Sequence, residues 1–318
     1  MEQNIRTWIK QVGRGKTLAR DLDRSQSEQA IGALLEGRFT PAQAGAFLQA
    51  LRIKETTVDE LVGAAQALSA RRARVDLDPG TDPVVVNLAF DTPRKAGVVS
   101  LLAAAHLRRL GLCRPVVVWE PGCLFPDVQA MERTKNVLLS DPWLAAGLCP
   151  MLTVSGMVPG WGALAQLRAE LGFRTILNTL EKVVRPFDHA PVLVGISHGT
   201  FAHRLPQVLR DLGASRAATV QGHHGTLDLG VGEEPTTVVV ADSDGVREES
   251  VSAEGFPAPS ILLKSDFDNW PVRIRDRRDP LWLAIVRQAA LIHSVAVGIS
   301  HRQSLQILSI RETSDVQP

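Results

Sequence analysis

Apolar positions along this chain change their period near residue 82. Before that point they recur at helical spacing, as in Ala42, Ala46, Phe47 and Leu51 and again in Leu61, Ala64, Ala65 and Leu68, which marks helices with one buried face. Each start carries a capping-box pattern: Ser25 with Glu28, Thr40 with Gln43 and Pro41 at the first helical position, and Thr57 with Glu60. In such a box a hydroxyl accepts a backbone N–H three residues on, while the acid or amide there reaches back to the cap. The first 70 or so residues are therefore expected to be all-helical.

From Asp82 onward short apolar runs take over. Pro83–Phe90, Pro115–Trp119, Pro191–Ile196, Ala217–Val220 and Thr236–Ala241 are bounded by Gly, Pro or Asp and separated by helix-length segments. Two of those segments, Val98–Leu110 and Phe201–Leu212, end at Gly111 and Gly213 as C-caps, and longer apolar helices are predicted near 281–297 and 301–309. Strands alternating with helices predict a mostly parallel central sheet covered on both faces. The expected fold class is α/β: a small all-helical N-terminal lobe packed on a larger α/β lobe.

Composition narrows the function. The chain has 318 residues, 45% hydrophobic and 22% charged, enough to bury a full core, and disorder is expected only in the polar tail after Ile310. A net charge of +1 creates no global field for a polyanion, so such a partner would need a local patch. One candidate is the opening run, where Arg6, Lys10, Arg14, Lys16, Arg20 and Arg24 stand against Glu2, Asp21 and Asp23; the plainer reading is a solvated helical face. Cys113, Cys123 and Cys149 are odd in number and lack metal spacing, so they read as reduced packing residues. No signal peptide and no apolar run of the roughly 18 residues that span a bilayer is visible, so a cytoplasmic location without a membrane partner is expected.

Other chemistry is weak. His223 and His224 are adjacent, so their side chains diverge and no metal site is predicted. Ser197 and His198 with Asp211 lack a Gly-x-Ser-x-Gly elbow. Trp161 reads as packing before base stacking.

Two segments carry a family resemblance. Ala46-Phe47-Leu48-Gln49-Ala50-Leu51-Arg52-Ile53-Lys54 and Leu167-Arg168-Ala169-Glu170-Leu171-Gly172-Phe173-Arg174-Thr175-Ile176-Leu177-Asn178-Thr179-Leu180 resemble, in order and spacing, two runs of the anthranilate phosphoribosyltransferases. The resemblance implies a helical lobe of residues 1–75 joined by about 160–185, an α/β lobe of 76–318, an active site in the cleft between them, and a homodimer through the helical lobe.

The same comparison exposes departures. The family holds pyrophosphate on the backbone N–H groups of a Gly-Thr-Gly-Gly-Asp loop, where this chain has Asn87-Leu88-Ala89-Phe90-Asp91. Val158-Pro159-Gly160-Trp161-Gly162 replaces His-Pro-Ala-Met-Lys, Trp119-Glu120-Pro121-Gly122 replaces Lys-His-Gly-Asn, and Leu227-Asp228 replaces a metal-binding Asp-Glu pair. Arg168 matches the arginine that contacts the acceptor's carboxylate. The departures predict a degenerate active site with no catalytic residue and no cofactor, Mg2+ entering only if the chain is a transferase after all.

A subgroup of the family keeps the fold, lacks the transfer motifs and binds nucleic acid; Gly13–Arg24 and Arg94-Lys95 resemble it. The leading expectation is therefore a homodimeric DNA- or RNA-binding protein. It would hold backbone phosphates with Arg14, Lys16, Arg20, Arg94, Lys95 and Arg168, without strong sequence preference. The alternatives are a glycosyl or phosphoribosyl transferase with altered acceptor or donor, and a protein-interaction scaffold.

Overall fold

The computed structural model describes residues 2–73, 75, 77, 83–89, 98–122, 129, 132, 135–136, 139, 142–197, 199–222, 225–230, 235–252 and 273–314. The chain forms two compact units, Met1–Asp76 with Thr153–Pro186 and Leu77–Leu152 with Phe187–Pro318.

The first unit is helical. Its longer helices are Glu2–Val12, Arg24–Leu35, Pro41–Lys54, Val58–Arg71 and Trp161–Leu171. Thr40 and Gln43 close a reciprocal cap at 3.2 and 3.0 Å, and Thr57 and Glu60 another at 3.3 and 2.9 Å. The predicted Ser25–Glu28 box is displaced by two residues. Asp23 accepts from the Gln26 N–H at 2.8 Å while Gln26 Oε1 accepts from the Asp23 N–H at 3.1 Å. The carboxylate is the stronger acceptor for a helix N-terminus, and Ser25 falls inside the first turn, where its hydroxyl accepts from Gln29.

Glu60 does more than cap. Its carboxylate is fully buried and accepts from the Leu22 N–H at 2.9 Å and from Lys54 Nζ at 2.7 Å, and the Lys54 side chain is only 4% exposed. Lys54 also reaches Asp21 Oδ1 at 2.5 Å. The lysine that ends the first family segment is thus half of a buried ion pair. The two family segments also meet, with the Arg52 guanidinium 5.2 Å from the centre of the Phe173 ring.

The second unit is built on a seven-stranded sheet of order β3-β2-β1-β4-β5-β6-β7. The strands are β1 (Pro83–Asn87), β2 (Arg114–Trp119), β3 (Met151–Thr153), β4 (Val192–Gly195), β5 (Ala217–Val220), β6 (Thr236–Asp242) and β7 (Gly245–Val251). β2, β1, β4 and β5 run parallel, while β6 and β7 are antiparallel additions. Val84, Val86 and Leu88 join a core cluster with Leu102, Leu281, Ile285 and Ile292, and Val85 on the other face is equally buried. The fold class is that expected: a helical N-terminal part and an α/β part with a mostly parallel sheet.

Two strands escaped the sequence pattern. β3 has three residues, and β7 carries Arg247, Glu248 and Glu249 because it is the outermost strand among those described, where charge discourages further pairing. Cys113 and Cys149 are buried and reduced, as expected, and burial pushes the Cys149 thiol up to about 12; Cys123 lies outside the described residues. Among those residues, Pro280–Val297 is the helix long and apolar enough to cross a membrane by length and composition, and two-thirds of it is buried in this core.

Two buried histidines predict a pH response. His293, on helix Pro280–Val297, bonds Ser304 Oγ at 2.8 Å, and burial holds its pKa below the ordinary value. His106 packs edge-on to Trp282 and is likewise lowered, first by burial, with Glu312 opposing at 2.9 Å and Arg109 and Arg277 assisting. The unfolded chain therefore takes up protons before the folded one. Stability is full above the unfolded histidine pKa of about 6.5 and declines as pH falls toward the lowered folded values. The melting temperature should hold above about pH 7 and drop between about pH 6.5 and 5, with a shallower drop in His293→Asn.

A second expectation concerns Glu60. Replacing it with alanine strands the Lys54 charge in the interior and should cost about 3–5 kcal/mol in urea denaturation, whereas Lys54→Met combined with Glu60→Leu should cost far less.

Candidate active site

In the α/β unit the C-terminal ends of the parallel strands lie side by side. Asn87 is in register with Val118 and Val194, and Gly195 with Val220. Open parallel sheets bind ligands beyond this edge. Chain leaving β1 turns at once. The Leu88 N–H donates to the Val118 carbonyl at 2.7 Å, the Ala89 N–H donates to Asn87 Oδ1 at 2.9 Å, and both side chains are buried. Two backbone donors that a phosphate loop would present are therefore used within the protein.

Helix Val98–Arg109 starts on the far side of that loop. Ser100 donates through its N–H at 2.9 Å and its hydroxyl at 2.6 Å to Asp228 Oδ1. Asp228 arrives on a segment folded tightly over the end of β4. A Cβ on Gly195 would lie 2.3 Å from the Thr226 carbonyl carbon, and one on Gly222 would lie 2.2 Å from the Asp228 carbonyl oxygen. Gly225 has φ +77°, so only glycine turns there without strain. Leu227 and Leu229 bury their side chains in the core on either side of Asp228. Leu227 thus faces away from the rim, and Glu120, at the end of β2, is buried.

In the helical unit Arg168 pairs with the fully buried Glu181. Asn178 Oδ1 accepts from the Thr175 N–H at 2.8 Å, which fixes the turn between them. Trp161 is buried packing, and Gly160, with φ +85°, lets the backbone approach Leu35.

Arg14, Lys16 and Arg20 are exposed near the N-terminus, where Lys16 faces Glu55 at 3.7 Å. Arg24 pairs with Asp59 at 2.6 Å. Two cations of the basic run, Lys16 and Arg24, are thus met by acids that lie elsewhere in the sequence. Phe90, Asp91, Arg94, Lys95, His198, His223 and His224 lie outside the described residues. No group of three or more His, Cys, Asp or Glu side chains arranged for a metal occurs among the described residues.

Sequence inspection missed Ser100, Glu181 and Gln288. The one signal was a polar Gln288 set in the apolar run Ala284-Ile285-Val286-Arg287-Gln288-Ala289-Ala290-Leu291.

Residues 6–71 match the helical bundle domain of a glycosyl transferase family, and residues 140–265 match the a/b domain of a glycosyl transferase family. An anthranilate phosphoribosyltransferase from Methylobacterium nodulans is 30% identical over 83% of this chain and 79% of its own length. Another from Methylobacterium radiotolerans is 33% identical over 74% and 69%. Among solved structures, the anthranilate phosphoribosyltransferase from Thermus thermophilus superposes with a TM-score of 0.72 at 20% identity, covering 98% of this chain and 94% of its own. The Saccharomyces cerevisiae enzyme in complex with PRPP and Mg gives 0.74 at 17% identity, covering 99% and 94%.

These findings overturn three expectations. The relatives bear the name of a transferase, so the DNA- or RNA-binding function, the nucleic-acid partner and the degenerate active site are all corrected. Of the side chains expected to hold phosphate, Lys16 faces Glu55 at 3.7 Å and Arg168 pairs with the buried Glu181.

The glycine packing yields a test. Gly195→Ala places a methyl against the backbone of residues 226 and 227 and should destabilise by at least about 1–3 kcal/mol in urea denaturation. Gly162→Ala, with open space around it, should leave stability unchanged or raised.

Proposed function

The chain belongs to the anthranilate phosphoribosyltransferase family, and from that premise we propose that it is a glycosyl or phosphoribosyl transferase that grips its donor differently from the family pattern. The reaction class follows from the names its relatives carry. The altered donor grip rests on one observation, the internal use of the Leu88 and Ala89 N–H groups at 2.7 and 2.9 Å. A diphosphate cradled by those amides would have to break both bonds, and each leaves a buried acceptor behind. A donor with fewer phosphate oxygens at that loop makes no such demand.

The remaining donor-side groups are Asp228 and Ser100. Their oxygens are hard and 2.6 Å apart but buried and bonded to each other, so a magnesium ion carrying water and donor phosphate would be held there only by replacing the Ser100 hydroxyl bond to Asp228. Such an ion, held by Asp228 and Ser100, would neutralise phosphate charge. On the acceptor side the resemblance assigns Arg168 to a carboxylate, and Glu181 orients its guanidinium. In the transfer the acceptor's nucleophilic atom bonds the anomeric carbon, and the leaving phosphate group takes the old bonding pair.

The test is a matrix of donors and acceptors with Mg2+. PRPP and ribose 1-phosphate are each offered with anthranilate and other aromatic carboxylates, and pentosyl addition is read by mass spectrometry with phosphate or diphosphate release. Transfer is expected, with PRPP and anthranilate a poor pair. Absence of transfer from every donor, together with absence of donor binding by calorimetry, would overturn the reading.

A further inference from the structure

Gln288 is an amide in the middle of the most apolar of the described helices, and none of its surface is exposed. Burying an amide is unfavourable unless both its ends are satisfied. They are satisfied by one short stretch of backbone: Nε2 donates to the Leu227 carbonyl at 3.0 Å, and Oε1 accepts from the Leu229 N–H at 2.9 Å. The two bonds bracket residue 228. One residue earlier in the same helix, Arg287 donates to the Gly230 carbonyl at 3.2 Å and to the Val251 carbonyl at 3.2 Å. The helix thus grips main-chain atoms from 227 to 230.

Other restraints act on the same stretch. Leu227 and Leu229 are anchored in the core, the Asp228 N–H donates to Thr226 Oγ1 at 3.3 Å, and Gly195 and Gly222 admit the segment at close range. These restraints fix the main chain on either side of Asp228, whose carboxylate accepts from the N–H and the hydroxyl of Ser100 at the start of helix Val98–Arg109. A methionine or leucine would fill the Gln288 volume without needing partners, so packing alone does not call for an amide at this position.

We propose that Gln288 is a positioning residue for the donor side of the transferase, holding Asp228 in register with Ser100 by clamping the peptide groups on either side of it. The assignment of a donor side rests on the function proposed above; the clamp itself does not.

The experiment compares Gln288→Met with Ile292→Ala, a cavity control in the same helix that touches none of these bonds, using the full chain. Both should lower the melting temperature. In Gln288→Met the KM for whichever donor the wild type uses should rise roughly tenfold or more, while acceptor KM stays within about twofold. Ile292→Ala should leave both constants unchanged. Hydrogen exchange supplies a readout that does not depend on turnover: amides of Leu229 and Ser100 should exchange roughly tenfold faster in Gln288→Met than in Ile292→Ala. Equal exchange at Ser100 in the two variants, or an unchanged donor KM, overturns the positioning role. A wild type that turns over no donor defeats the transferase reading alone, and the exchange comparison then decides whether Gln288 holds Asp228.

Discussion

The helical unit depends on one buried carboxylate. Glu60 gathers the chain at Leu22, the end of helix Pro41–Lys54 and the start of helix Val58–Arg71 around a single charge. Leu22 lies 38 residues before Glu60, and apolar contact between it and the turn joining the two helices would lack the direction that a hydrogen bond supplies. An ion pair in the interior repays its desolvation only when its geometry is good and its remaining lone pairs are satisfied. Here Lys54, Thr57 and the Leu22 N–H satisfy them, so the pair sets the angle at which the helices leave one another.

The α/β unit applies the same logic with an amide and a guanidinium that bond to backbone atoms. Its working edge is held less by a network of side chains than by backbone closeness. Gly195 and Gly222 allow the segment ending at Asp228 to lie on the end of the sheet, and buried polar side chains from the long helix satisfy the carbonyls and N–H groups this exposes. A strand end is a poor place for precise geometry, since its backbone groups have no neighbour on one side. The helix supplies the missing neighbour.

Much of this was legible in the sequence, in proportion to how local the cause was. Capping at Thr40 and Thr57 depends on four consecutive residues, and the strands β1, β2, β4, β5 and β6 depend on short apolar runs; both were readable. Non-local causes were not. Glu55 and Asp59 stand beside Lys16 and Arg24, whose charges look unopposed in the sequence around them. Leu88 and Ala89 stand in a loop that a glycine template marks as damaged, yet their role is to pack and to satisfy β2 and Asn87. β7 has no apolar pattern because, among the described strands, β6 is its one neighbour. Judging the edge by its missing glycines therefore led to the wrong function, since absence of a motif says nothing about what the replacement residues do.

The bonds from Gln288 to Leu227 and Leu229 and from Arg287 to Gly230 end on main-chain atoms. Main-chain atoms are the same whatever the residue, so the grip is indifferent to which side chains the segment displays toward the rim. Substitution there alters chemistry without loosening the scaffold, and the two can drift on separate schedules. A fold built this way gives its lineage room to try new substrates while remaining recognisable from end to end.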